Sequence, residues 1–123
     1  MDFKKLIAYQ KAFDFAMSVF KISKSFPKEG TYSLTDQIRR SPPSLNTNLA
    51  EAYGKREYPK QYNGKLTDAD AENSETNTSL DFALACNYIL KEQHIDLSNR
   101  GIVVGKLINF MINNPGKFGV NTD

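Results

Sequence analysis

One cysteine, one histidine and no tryptophan among 123 residues leave little from which to build a reactive centre. Cys86 has no second cysteine, so no disulfide can form within the chain. One Cys and one His do not suffice to close a zinc site. A di-metal centre of the kind that helical bundles house needs Glu-x-x-His pairs, and His94 follows Glu92 by only two positions. The chain has no Gly-x-Gly-x-x-Gly stretch and no Gly-Lys-Ser/Thr phosphate loop. No apolar run approaches the roughly 20 residues that span a bilayer, and Met1-Asp2-Phe3-Lys4-Lys5 lacks the apolar region of a signal peptide. These absences predict a cytoplasmic, non-enzymatic protein with no cofactor, no metal and no membrane partner.

What chemistry remains has a plain reading. Asp68, Glu72 and Glu75 share one helix face, but no second helix offers ligands, so they are expected to be a solvated acidic face or an interface. Cys86 lies beside Ala83 and Ala85 and is predicted to be a small core residue. His94, eight residues on, is too far along the chain for a dyad and is expected near a helix C-terminus or exposed. Gly101 and Gly105 permit a close helix approach.

What the sequence has in quantity is helical periodicity. Fourteen aromatics and 18 Leu plus Ile supply one core, and the length suits a single domain over residues 1–123, with 116–123 expected to form a flexible tail. From Leu6 to Phe26 the positions Tyr9, Phe13, Ala16, Phe20 and Ile22 recur at helical steps, supported by Ala12, Phe15 and Val19. Pro27 ends this helix and Gly30 follows in a loop. Leu34, Ile38, Pro42, Leu45, Leu49 and Ala52, with Tyr53, form a second seam behind Ser33 as N-cap. Pro42-Pro43 lack two N–H donors, so helix two is predicted to be kinked or broken near Ser41, with the second part running to about Tyr58. Tyr62, Leu66, Ala69, Asn73, Thr76, Leu80, Ala83, Asn87 and Leu90 make a third, long seam with a polar middle. A fourth helix from about Asp96 or Ser98 to Asn113 is apolar on every side, so it is expected at the bundle centre or in an oligomer interface. Four helices with short connections predict an all-α, antiparallel up-down-up-down four-helix bundle.

The net charge of +2 hides an asymmetry, with 11 basic and 6 acidic side chains in residues 1–60 against 5 and 8 in residues 61–123. This pattern fits a nucleic-acid face, pairing of basic with acidic helices, or head-to-tail packing of protomers. Arg39, Arg40, Lys55, Arg56 and Lys60, interleaved with Tyr53, Tyr58 and Tyr62, are the candidate nucleic-acid contacts. The competing reading pairs Asp36 with Arg40 and Glu51 with Lys55 at i, i+4 and buries Tyr53 and Tyr62. Only one of the adjacent Arg39 and Arg40 can turn toward the core, where it would need a carboxylate such as Glu51, Asp81 or Glu75. Asn48, Glu51, Asn73 and Glu75 are candidates for polar contacts between helices or subunits.

One segment is more specific. Gln37-Ile38-Arg39-Arg40, then Ser44, and Asn48-Leu49-Ala50-Glu51 with Gly54-Lys55, resembles the signature of the small four-helix-bundle proteins encoded by intervening sequences within bacterial 23S ribosomal RNA genes. Tyr9-Gln10-Lys11-Ala12, Phe26-Pro27, Asn87-Tyr88-Ile89 and Val104-Gly105-Lys106-Leu107 extend the resemblance over nearly the whole chain. The chain departs from the pattern at Pro42-Pro43, where the family has small residues, and at Asn46, near which the family has a proline. It departs again at Ala52, where the family has Gly, and at Asn77, where helix three often has Glu. The resemblance implies a cytoplasmic bundle that assembles as a homopentamer, and it carries over no catalytic residue. It also implies the partners associated with the related accessory proteins of diversity-generating retroelements, RNA or DNA and another protein. A protein–protein scaffold without nucleic acid is the alternative expectation.

Overall fold

Among the described residues of the computed structural model, 2–27 and 34–121, four α-helices carry the chain: α1 (Ile7–Ser23), α2 (Asp36–Gly54), α3 (Pro59–Ala85) and α4 (Lys91–Asn113). A 3₁₀ turn at Phe3–Lys5 precedes α1 and another at Pro115–Phe118 follows α4. The expected N-cap Ser33 and the loop residue Gly30 lie outside the described residues. Each helix packs on two neighbours in the cyclic order α1, α2, α3, α4. Cross-helix bonds join early residues of one helix to late residues of the next. Arg39 meets Ser23 while Asn46 meets Tyr9, Gln37 meets Glu75 while Glu51 meets Lys65, and Asp81 meets His94 while Tyr62 meets Met111. Neighbouring helices therefore run antiparallel, the arrangement that short connections favour.

The core follows the expected seams in α2 and α3. Ile38, Leu45, Leu49 and Ala52 face Tyr62, Leu66, Ala69, Leu80 and Ala83, all buried. In α1 the buried stripe is Ala8, Ala12, Phe15, Val19 and Ser23, and the stripe expected to lead, with Phe13 and Phe20, is half exposed. This helix is apolar over so wide an arc that periodicity alone does not choose its core face. Helix α4 is not central. Leu97, Gly101, Val104, Ile108 and Met111 face inward, while Ile95, Ile102, Val103 and Phe110 stay exposed.

The prolines do not divide α2, which continues from Asp36 to Gly54 through Pro42 and Pro43 and stops before Tyr58. A proline in a helix interior costs about 3 kcal/mol. Here Pro42 is buried among the seam residues, so its ring is part of the packing that holds the helix together. The missing donors are a local defect in the hydrogen-bond ladder instead of a break between two helices.

Helix α3 ends at Ala85, five residues before Leu90. Asn87 takes a left-handed conformation (φ 62°), and the Tyr88 N–H donates to the Ala83 carbonyl at 2.8 Å, closing the C-terminus as a glycine usually does. This turn leaves Cys86 exposed, contrary to its expected place in the core. Helix α4 then starts at Lys91, earlier than expected, with the Gln93 Oε1 accepting from the Leu90 N–H at 2.8 Å. The end of the chain is also more ordered than a tail through residue 121. Phe118 meets Phe110 edge-on at 6.0 Å and Val120 is buried, so apolar contact holds the segment on the bundle.

Candidate nucleic-acid interface

The five cations singled out in the sequence do not form one patch. Arg39 and Arg40 sit near the start of α2, and Lys55 lies just past its end, about 24 Å away at 1.5 Å per residue. Neither arginine enters the core. Arg39 donates from Nε to Ser23 Oγ (3.0 Å) and from Nη2 to the Ser23 carbonyl (3.2 Å), satisfying the last turn of α1. Arg40 pairs with Asp36 at 3.3 Å and donates to Gln37 Oε1 at 3.0 Å. The i, i+4 expectation holds for that pair and fails for Glu51, which reaches Lys65 of α3 at 2.6 Å instead of Lys55. Its hydrogen bond, and then its charge, push the Lys65 ammonium above its usual range.

The other three cations gather at the opposite end. Lys55 is exposed with its ammonium 6.0 Å from the Tyr58 ring, and Lys60 is exposed in the first turn of α3. Arg56 is half-buried, 3.7 Å over the Tyr53 ring, and donates to the carbonyls of Tyr53 (2.8 Å) and Phe118 (3.4 Å). Antiparallel topology brings three lysines that sequence reasoning missed to the same end. Lys4 and Lys5 stand in the turn before α1, and Lys117 in the turn after α4. Among the described residues none of these six cations is in an ion pair. The signal available in advance was topological, because in an up-down bundle the start of helix one, the α2–α3 connection and the end of helix four share one end.

The interleaved tyrosines divide. Tyr53 and Tyr62 are buried, leaving Tyr58 as the exposed ring. Tyr62 donates to the Met111 carbonyl at 3.2 Å, and burial pushes its hydroxyl up to about 12, against a smaller lowering by the Arg56 charge.

The candidate polar contacts lie mainly between helices. Glu75 accepts from Gln37 at 2.9 Å, and Asn48 is half-buried on α2. Asn73 donates from Nδ2 to the Gly101 carbonyl at 2.9 Å, and Asn77 donates to the Asn73 carbonyl at 2.9 Å. The two Asn Oδ1 atoms are buried without a partner among the described residues. A Cβ at Gly101 would collide with the Asn77 amide, so this glycine sets how closely α4 approaches α3. Between α2 and α3, Thr76 Oγ1 lies 2.8 Å from Ser41 Oγ in the buried seam. Nearby, burial and then the Glu75 charge raise the Glu72 carboxyl above its ordinary range.

One side-chain set superficially resembles a catalytic triad. His94 sits in the first turns of α4 with Asp81 Oδ1 2.7 Å and Ser98 Oγ 3.4 Å away, a position opposite to the helix C-terminus expected for it. Both partners contact the same ring nitrogen, Nε2. A base that activates a hydroxyl uses one nitrogen for the hydroxyl and the other for the carboxylate. The arrangement is a link between α3 and α4. Among the described residues no three His, Cys, Asp or Glu side chains are placed to hold a metal ion, and no helix is long and apolar enough to cross a membrane.

Residues 4–110 match the family described as 23S rRNA-intervening sequence protein. The fold is similar to a 1.70 Å crystal structure of a protein of unknown function from the S23 ribosomal protein family of Bacteroides thetaiotaomicron VPI-5482. That similarity has a TM-score of 0.78 and 26% identity, and covers 87% of this chain and 96% of that one. No curated protein matches the chain. With four helices in the same arrangement and a match over nearly its whole length, the chain belongs to the 23S rRNA-intervening sequence protein family.

Proposed function

We propose that this protein is a non-enzymatic, cytoplasmic binding module that holds RNA or DNA phosphates at the basic end of its bundle. The observation that carries this reading is the meeting of Lys4, Lys5, Lys55, Arg56, Lys60 and Lys117 at one end, with no ion pair among the described residues for any of them. Asp2 and Glu57 also lie at this end. Unpaired surface cations are free to displace counterions from a phosphate backbone, which is the main source of non-specific nucleic-acid affinity. The exposed Tyr58 ring beside Lys55 adds one stacking surface.

The test is fluorescence anisotropy with a labelled single-stranded RNA. Affinity should fall about 300-fold between 50 and 200 mM salt if about six phosphates of the single strand are neutralised. Lys55→Ala with Lys60→Ala should weaken binding and flatten the salt slope. Salt-independent binding, or none at low salt, would sink the reading.

A second reading is favoured by a separate observation. Phe13, Met17 and Phe20 on α1, and Ile95, Ile102, Val103 and Phe110 on α4, leave two faces of the bundle apolar and exposed. Such faces suit association, and we propose that copies of this chain assemble through them, in the homopentamer that the family resemblance implies. A scaffold that docks another protein without nucleic acid is the alternative role. Ile102→Lys should then lower the mass found by light scattering to that of one chain.

A further inference from the structure

At the basic end, the turn before α1, the start of α1, the ends of α2 and α4 and the final 3₁₀ turn line a half-open cavity of about 540 Å³. Its wall is apolar, built from Leu6, Ala8, Leu107, Met111 and Phe118. Among the described residues its charged lining consists of Lys5, Arg56 and Lys117, and the carboxylates of Asp2 and Glu57 line a neighbouring pocket that Arg56 shares. The volume lies in the range of small-molecule sites, about 300–1,000 Å³. Arg56 is the unusual member. It is half-buried and its partners are two carbonyls and an aromatic face. With no ion pair among the described residues, this partly buried guanidinium can take an anion in the cavity.

An apolar chamber whose charged lining is entirely cationic selects for a molecule with two parts, a hydrocarbon body and a single anionic head. We propose that this cavity binds a medium-chain alkanoate, with the chain against Leu6, Leu107 and Met111 and the carboxylate at Arg56, Lys5 and Lys117. Arginine holds the head in place, since its planar fork matches a carboxylate, and the two lysines add charge from the rim. The proposal goes beyond the nucleic-acid reading. It shares three cations with that reading but needs neither RNA nor Lys55 and Lys60, which lie outside the cavity.

The experiment titrates the full chain with decanoate below its micelle concentration, by calorimetry and by methyl NMR. The expected result is one saturable site per chain, with shifts concentrated at the Leu6, Leu107 and Met111 methyls. Lys5→Gln with Lys117→Gln should weaken decanoate at least tenfold while the circular-dichroism melt is unchanged. Decyltrimethylammonium and acetate should fail to compete, one lacking the anionic head and the other the body. Equal binding of the cationic analogue, shifts centred elsewhere, or no saturation would each overturn the proposal, including the case where a neighbouring copy fills the cavity. RNA affinity measured on the same samples separates the two readings. If the unmodified chain binds RNA but not decanoate, this proposal alone fails, and if it binds decanoate but not RNA, the nucleic-acid reading alone fails.

Discussion

The two ends of the bundle hold their basic side chains differently. At the end where α2 begins, Arg40 pairs with Asp36, Arg39 is bound to the last turn of α1, and His94 contacts Asp81. At the end where α2 finishes, six cations stand around a cavity and the short turns beside it, and Arg56 alone is tied down, by carbonyls. Paired cations contribute a little to stability, about 0–1 kcal/mol each at the surface. Unpaired ones remain available to an outside anion. Lys24 and Lys91 at the first end are in no ion pair among the described residues either, so the contrast between the ends lies in how the arginines are held and in the cavity beside Arg56.

The largest expected effect tests that difference directly. Lys55→Ala with Lys60→Ala should reduce RNA affinity by about tenfold or more at 100 mM salt, because each lost phosphate contact removes counterion release. Arg39→Ala with Arg40→Ala should leave it within about twofold. Comparable losses from the two pairs, read by anisotropy, would erase the distinction between the ends.

Between the two ends, Gly101 lets α4 approach α3 closely. Gly101→Ala should destabilise by about 1–3 kcal/mol in urea unfolding, since its methyl would strike the Asn77 amide in a packed seam. Adding Asn77→Ala should recover part of the loss, and full additivity of the two changes would show that they do not touch.

Below the basic end, Tyr62→Phe should cost about 1 kcal/mol by leaving the Met111 carbonyl without its donor. The native phenol is held neutral up to about 12, above its value of 10.0 in the unfolded chain. Between these values the unfolded state loses the proton first, so the Tyr62 contribution is complete below pH 10 and declines as pH rises toward 12. The difference between wild type and Tyr62→Phe in alkaline unfolding curves should shrink over that window. At the paired end, Asn87→Gly should stabilise by a few tenths to about 1 kcal/mol, because glycine takes φ 62° without strain. A lowered melting temperature would show that the Asn side chain does more than occupy the turn.

Much of the fold is legible in the residues. The seams of α2 and α3 alternate steps of three and four so regularly that the buried set Ile38, Leu45, Leu49, Leu66, Leu80 and Ala83 follows from spacing alone. Legibility fails where a segment is apolar all round. Helix α1 carries two stripes, and spacing alone does not choose Ala12, Phe15 and Val19 over Phe13 and Phe20. It fails again at α3, where the seam runs on to Asn87 and Leu90 although the helix stops at Ala85, since a left-handed Asn ends a helix without altering the pattern. The site was half legible. Lys55, Arg56 and Lys60 are close in sequence, but Lys5 and Lys117 are more than one hundred residues apart and meet through topology.

By itself the sequence determined the all-helical bundle, its family and the scarcity of reactive side chains, because periodicity and composition are local properties that survive without coordinates. The tertiary structure decided which face of α1 is core, which end of the molecule is basic, and that Arg56 borders an apolar cavity. Those outcomes depend on antiparallel packing, which brings together charges and walls that no local stretch of the chain contains.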